Sequence, residues 1–396
     1  MSMHAPTTFR YPCTGHVGGP AFGDFLKEHL GAPRANLHEL TSELSALLRC
    51  PNLTLVNSGS SANLVAALAI GERCGMTFGG ARERPKRRRV LASGFTFPTT
   101  ISALRLAGFE VTLVDTEPMG FNASPDAVKR AIDDDVAALC ITHFLGFPAR
   151  IDVIADLAAA KGINWILQDA CETLNLRVAG YPIHAWSTFT TYGFYHPHHL
   201  STYGGGGVVT HDRELSRVVE SLTHWGRACT HHYDEEMCEA PPEPDHQFWY
   251  VRDGINVEMS ELNACFGLYA LESHPSDEKR RATHYGILYE ALASHPKLLV
   301  TADPFSGSTP FVFPIRVRAG DARPLTERLL ARGVETRTLM GGAMSEQPAF
   351  KGIAHDGLAA CKATAAATVF VGVHQTLKTE DVEAMAKIVA DEATKA

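Results

Sequence analysis

Between about Asn36 and Glu272, short apolar and β-branched runs alternate with stretches of helical length. Thr54–Asn57, Arg89–Ala92, Glu110–Val114, Ala137–Thr142 and Trp165–Gln168 read as strands; Ser60–Ile70, Thr99–Ala107, Ser124–Ile132 and Val153–Lys161 read as helices. Strands separated by single helices are expected to lie parallel, in a sheet covered on both faces. Ligands of such sheets sit at the carboxyl ends of the strands, so chemistry is expected there. From Ser260 a helical, amphipathic stretch continues to Ala293. Phe311–Val317, Leu325–Arg332, Val334–Arg337 and a last helix from Thr379 to about Ala393 then read as a small unit. The expected division is an N-terminal segment (1–35), a large α/β domain (36–275) and a small C-terminal α+β domain (276–396). Ala240–His246 reads as a surface excursion.

Charge and composition exclude several classes of partner. Lys and Arg number 36 against 44 Asp and Glu, a net charge of −8, which argues against binding nucleic acid. The one basic run, Arg82–Arg89, reads as a solvated loop. No stretch approaches the roughly 18 apolar residues that span a bilayer. The N-terminus lacks the features of a signal peptide, so a cytoplasmic protein with no membrane partner is expected. The nine cysteines are odd in number and scattered, unlike a secreted disulfide framework. Eleven lysines are present, and none falls between Lys161 and Lys279.

Three segments carry candidate chemistry. Val56–Ile70 is a strand, a small-residue turn and an apolar helix, in which Ser58, Gly59 and Ser60 form either an anion site or a plain helix cap. Asn164–Leu174 ends a buried strand at Asp169, which either caps the next turn or pairs with a protonated heterocyclic nitrogen. Phe189–Gly207 places His196, His198 and His199 before four consecutive glycines; these histidines are loop residues, proton shuttles or metal ligands. His143, at another strand end, is either a pocket or a structural residue. Arg337 meets either a substrate anion or a surface carboxylate.

In this order and spacing the segments resemble the DegT/DnrJ/EryC1/StrS sugar aminotransferase family, over essentially the whole chain. The resemblance implies a fold-type-I, aspartate-aminotransferase-like α/β fold of PLP-dependent transferases, with a mainly parallel central sheet. It implies a pyridoxal or pyridoxamine 5′-phosphate cofactor whose phosphate lies at Gly59 and Ser60. Phe97 would stack on the pyridine ring and Asp169 would pair with its nitrogen. Gly254–Leu268 resembles a family motif whose asparagine, here Asn256, reaches the phosphate in the neighbouring subunit of a homodimer.

The lysine that binds the cofactor covalently in this family aligns with His198, inside the lysine-free interval, so lysine-assisted transamination is disfavoured. Histidine at this position is similar to the branch of nucleotide-sugar 3-dehydrases acting on CDP- and GDP-linked 4-keto-6-deoxy sugars. FYHPHH, HWGRAC and GVETRTLMGGAMSEQPAF resemble that branch as well. Two positions depart from the pattern. The family's GEGG turn reads Tyr203-Gly204-Gly205-Gly206, and its phosphate-binding serine is Gly193, with Thr190 or Thr191 as possible replacements. The resemblance implies that His198 moves protons while the C3 hydroxyl of a nucleotide-activated 4-keto sugar leaves.

The CDP-sugar enzymes of that branch carry an iron–sulfur centre on C-x57-C-x-C-x7-C. Here Cys171 and Cys229 reproduce the first spacing, His231 takes the third position, and Cys238 falls one residue short of the fourth. The set implies a [2Fe–2S] centre, fed by an electron-donor reductase or ferredoxin; zinc is the alternative. Without a cluster, His231 and His232 would line the substrate pocket and glutamate would re-aminate the cofactor. A third option is an inactive, aminotransferase-like binding protein.

Overall fold

The computed structural model describes residues 9–15, 20–29, 35–77, 80–81, 87–229, 248–301 and 309–395. His231, His232, Cys238, Ala240–His246 and most of the basic run at 82–89 lie outside them. Among the described residues, no helix is long and apolar enough to cross a membrane.

The large sheet takes seven strands from residues 52–210: β1 (Asn52–Val56), β2 (Arg89–Ser93), β3 (Glu110–Val114), β4 (Val136–Thr142), β5 (Trp165–Asp169), β6 (Phe189–Gly193) and β7 (Gly206–Thr210). The small sheet holds β8 (Leu298–Leu299), β9 (Val312–Val317) and β10 (Arg337–Thr338). Then β11 (Ala354–His355) returns to the large sheet, and β12 (Thr368–Gly372) completes the small one. The large sheet runs β1-β7-β6-β5-β4-β2-β3-β11; the small one runs β8-β9-β12-β10 and is antiparallel. From β6 to β11 the large sheet is parallel; β7 pairs antiparallel with both β1 and β6. All five expected strands of the large sheet are present, within two residues at each end. The strands β6 and β7 went unread in the sequence, where their stretch reads as a loop.

Alternation along the strands divides the apolar residues between two cores. Val90 and Ala92 face one core and Leu91 the other, as the two-residue period of a strand requires. The helices are α1 (Pro20–His29), α2 (Ala35–Leu48), α3 (Gly59–Arg73), α4 (Pro98–Leu106), α5 (Pro125–Ala131), α6 (Ile151–Ala160), α7 (Arg213–Thr223), α8 (Glu261–Leu292), α9 (Arg323–Ala331), α10 (Ala359–Ala367) and α11 (Thr379–Thr394). Most of α3 from Ala62 to Gly71 is buried, and its small residues (Ala62, Ala66, Ala69) let it lie close to the sheet. An apolar surface on every side marks such a buried helix. The long α8 runs unbroken through Pro275.

The segment 9–15 packs onto the small sheet. Tyr11 bridges Val334 in parallel, and the Cys13 N–H donates to Glu335 Oε2 at 2.8 Å. His374 Nε2 meets the Pro12 carbonyl at 3.0 Å.

Candidate active site

A cavity of about 900 Å³ opens at the carboxyl end of the parallel strands. Its wall includes Ser58, Gly59, Ser60, Phe97, Asp169, Cys171, Gly193 and His198. The structure therefore gathers segments that are 140 residues apart in the chain. Among the described residues, no lysine lines this cavity.

The start of α3 forms one wall. Ser58 is extended at the N-cap and its hydroxyl accepts from the Ser61 N–H at 3.0 Å. The cap reading holds, and the cap leaves the Gly59 and Ser60 N–H groups without a described acceptor. Such free donors at a helix start favour an anion. The Ser60 hydroxyl meets Thr99 Oγ1 at 2.7 Å. Gly59 has to be glycine: an added Cβ would lie 2.7 Å from Cys171 Sγ.

Asp169 is 4% exposed, with both oxygens engaged. Asn63 Nδ2 and Thr100 Oγ1 donate to Oδ2 at 2.9 and 2.6 Å, and the Cys171 N–H donates to Oδ1 at 3.2 Å. Every one of these donors is neutral. Among the described residues no cationic side chain pairs with this carboxylate, so its charge is left for a cationic ligand group. Phe97 precedes Pro98, the first residue of α4, and is 51% exposed at the cavity.

Of the three clustered histidines only His198 lines the cavity. His199 is buried, with Nε2 on the Thr309 carbonyl at 2.9 Å, and His196 packs edge-on against Tyr195. His198 Nδ1 lies 2.8 Å from the Gly193 carbonyl. A carbonyl only accepts, so Nδ1 carries the hydrogen and Nε2 of the neutral ring keeps its lone pair. Burial pulls the His198 pKa down to about 4, with the Gly193 bond opposing and Arg281 adding to the fall. At neutral pH the ring is a base.

Other expected residues settle differently. Thr190 and Thr191 turn into the core: Thr191 Oγ1 donates to Asn63 Oδ1 and the Gln168 carbonyl, and Thr190 Oγ1 bonds Ser187. Neither can replace the family's serine at a phosphate. His143 is structural. Its Nδ1 accepts from the Ala149 N–H, its Nε2 meets Gln168 Oε1 at 2.7 Å, and burial takes it down to about 4. Arg337 does reach the cavity, while also pairing with Glu335 at 2.9 Å. Asn256 is exposed and stands outside this chain's cavity wall. Cys171 faces the cavity, whereas Cys229 is buried beyond α7 and is not part of the wall. Among the described residues no three His, Cys, Asp or Glu side chains are grouped to hold a metal.

Glu172 and Arg281 also line the wall, and the sequence reading singles out neither. Glu172 accepts from the N–H of Leu145, whose backbone is left-handed (φ 55°), and burial pushes its carboxyl up to about 8. Arg281 rises from α8 under the His198 turn. Glu172 reads in sequence as part of a polar turn, and Arg281 as one of a run of solvated helix charges.

A model of the DegT/DnrJ/EryC1/StrS aminotransferase family matches residues 27–390. The dTDP-4-dehydro-2,6-dideoxy-D-glucose 3-dehydratase of Saccharopolyspora spinosa is 30% identical over 377 residues, covering 91% of this chain and 80% of its own. The GDP-4-keto-6-deoxy-D-mannose 3-dehydratase of Yersinia pseudotuberculosis is 26% identical over 298 residues, or 73% and 72% of the two chains. Among solved structures, Escherichia coli GDP-4-keto-6-deoxy-D-mannose-3-dehydratase with bound hydrated PLP superposes with a TM-score of 0.83. It does so at 19% identity, over 97% of this chain and 100% of that one. The fold is thus the aspartate-aminotransferase-like one expected.

Proposed function

We propose a function from one premise: the chain belongs to the DegT/DnrJ/EryC1/StrS aminotransferase family, while its cavity offers a histidine and, among the described residues, no lysine. The protein is a pyridoxamine 5′-phosphate-dependent dehydratase that removes the C3 hydroxyl of a nucleotide-linked 4-keto sugar in deoxysugar or natural-product biosynthesis. His198 carries the proposal, because it brings an unprotonated Nε2 to the cavity on a ring whose tautomer is fixed by Gly193.

The residues present fit this cofactor. The free N–H groups of Gly59 and Ser60 suit its phosphate, the unpaired charge of Asp169 suits a protonated pyridine nitrogen, and Phe97 offers a ring face. When bound, the cofactor supplies an electron sink joined to the sugar carbon next to the one that loses its hydroxyl. Asp169 keeps the pyridine nitrogen protonated. His198 Nε2 takes up a proton and returns it to the departing C3 hydroxyl. Phe144 and Phe311 keep water from that part of the wall. A lysine in place of His198 would bind the cofactor itself and compete with the sugar.

We extend this to a [2Fe–2S] centre on Cys171, Cys229, His231 and Cys238, supported by their spacing and by Cys171 facing the cavity two residues from Asp169. Electrons for the reductive step would come from a reductase or ferredoxin. The same proposal includes a cytoplasmic homodimer in which Asn256 of a second copy completes the phosphate cradle, supported by the exposed position of Asn256.

The test is incubation of anaerobically purified protein with pyridoxamine 5′-phosphate and nucleotide-linked 4-keto-6-deoxy sugars, followed by mass spectrometry. Loss of the C3 oxygen is expected. A brown protein with about two irons per chain identifies the cluster form; an iron-free protein that turns over with glutamate identifies re-amination and removes the cluster. His198→Lys is expected to hold the cofactor in a borohydride-trappable linkage. Failure to trap any would undo the assignment of His198.

A further inference from the structure

Arg281 is 2% exposed and still lines the cavity. Its Nε donates to Gln375 Oε1 at 2.9 Å, and Nη1 to the Phe311 carbonyl at 3.2 Å. Its Nη2 spans two successive carbonyls, those of Pro197 at 3.4 Å and His198 at 3.3 Å. Four of the five guanidinium N–H groups are therefore spent on neutral oxygens. Among the described residues no carboxylate lies within ion-pair distance of this cation. Burial lowers its pKa to about 10 and Asp277, one turn earlier on α8, opposes the fall, so it stays charged at neutral pH.

We infer that Arg281 is the positioning residue of the base: its guanidinium fixes the turn that carries His198, and its unpaired charge acts on the imidazole held there. This rests on the role proposed for His198. Nη2 holds both carbonyls of the turn while Nε and Nη1 anchor the guanidinium to Gln375 and Phe311; a lysine, with one nitrogen, cannot keep all of these contacts at once. Arg281 has too few free donors to receive a substrate phosphate; Arg337, at the open side, is better placed for that.

The charges around the pair are few. His198 faces Arg281 from α8, Asp169 from β5 and His196 from its own turn. Arg281 faces Asp277 on its own helix, with His199 from the turn, His284 from α8 and His374 from beyond β12 around it. The Gly193 bond and Asp169 favour the protonated ring; burial is the largest influence against it, and the charge of Arg281 adds to burial. Without that charge, the protonation midpoint of His198 is expected to rise by about one unit.

The test uses carbethoxylation by diethyl pyrocarbonate, read site by site with mass spectrometry, because only an unprotonated imidazole reacts. In the wild type His198 should react at a rate that is nearly flat down to about pH 5. In Arg281→Gln the inflection should move up by about one unit; in Arg281→Lys it should stay, while kcat falls at least tenfold and affinity for pyridoxamine 5′-phosphate holds. A folded Arg281→Gln with the wild-type inflection overturns the proposal, as does Arg281→Lys with wild-type kcat. Should Arg281→Gln not fold, the lysine variant decides through its inflection and kcat. Wild-type protein that dehydrates no 4-keto sugar yet shows the expected reactivity series refutes the proposed function and leaves the role of Arg281 standing.

Discussion

Replacing Gly193 by alanine displaces the base without touching it. The Gly193 backbone is not in the left-handed region, so alanine strains no dihedral and the cost is steric. An added Cβ would stand 2.7 Å from His198 Cε1, 2.9 Å from His198 Nδ1 and 3.1 Å from Cys171 Cβ. The imidazole is the side that can yield, and moving it breaks the 2.8 Å bond to the Gly193 carbonyl. Overpacking costs about 1–3 kcal/mol and the lost hydrogen bond about 1 more, together roughly 2–4 kcal/mol of stability. A melting temperature lower by several degrees follows. A reactive nitrogen misplaced by about an ångström costs on the order of 100-fold in kcat. The Gly59 and Ser60 cradle and Asp169 are untouched, so pyridoxamine 5′-phosphate should bind nearly as before. Turnover, fluorescence titration with the cofactor and a thermal melt check the three parts. A Gly193→Ala protein with wild-type kcat and melting temperature would refute the packing of His198 on Gly193. Serine carries the same Cβ, so restoring the family's own residue at this position is expected to harm this chain.

Asp169→Asn removes the charge facing the pyridine nitrogen and is expected to weaken cofactor binding about 10- to 100-fold, the worth of a charged hydrogen bond; unchanged affinity by titration would remove Asp169 from that role. Burial holds His143, His198 and His374 at about 4 against an ordinary 6.5. The unfolded chain therefore binds these protons first, and their contribution to stability is whole above pH 6.5 and lost as the pH falls towards 4. Melting temperatures should drop between pH 7 and 5, and a flat profile there contradicts the burial of these rings as neutral groups. Cys229→Ser should remove any iron from anaerobically purified protein while leaving cofactor affinity intact; retained iron would take Cys229 out of the cluster.

The parallel core was legible because its strands are apolar and its helices are periodic. The strands β6 and β7 were not. Thr190 and Thr191 are wholly buried, yet they are satisfied by Asn63 and Gln168, which lie elsewhere in the chain, and by neighbouring Ser187. Gly206 and Gly207 read as a run that lets the backbone approach a ligand or turn sharply, but they are small because Ser58 and Leu53 press on them, at 2.6 and 2.8 Å from an added Cβ. Asp169, Phe97 and His198 were legible from motif order. Arg281 was not, since a buried guanidinium and a solvated one are the same letter. Which of three neighbouring histidines faces the cavity was also decided by packing, through the bond from Nδ1 to Gly193.

The stretch from Tyr11 to Cys13 finds its partners 322 to 362 residues further on, at Glu335 and His374. Synthesis at about 5–20 residues per second puts roughly 15–70 seconds between the first of these groups leaving the ribosome and the last. The parallel sheet can assemble within that time, but the wall that Cys13 and Thr14 add to the cavity cannot. A nascent chain thus has its cofactor cradle at Gly59 and Ser60 well before it has a closed chamber. Slow pairing over such separations is expected to be the last folding step, so cofactor capture and competence for the sugar need not arise together during the protein's birth.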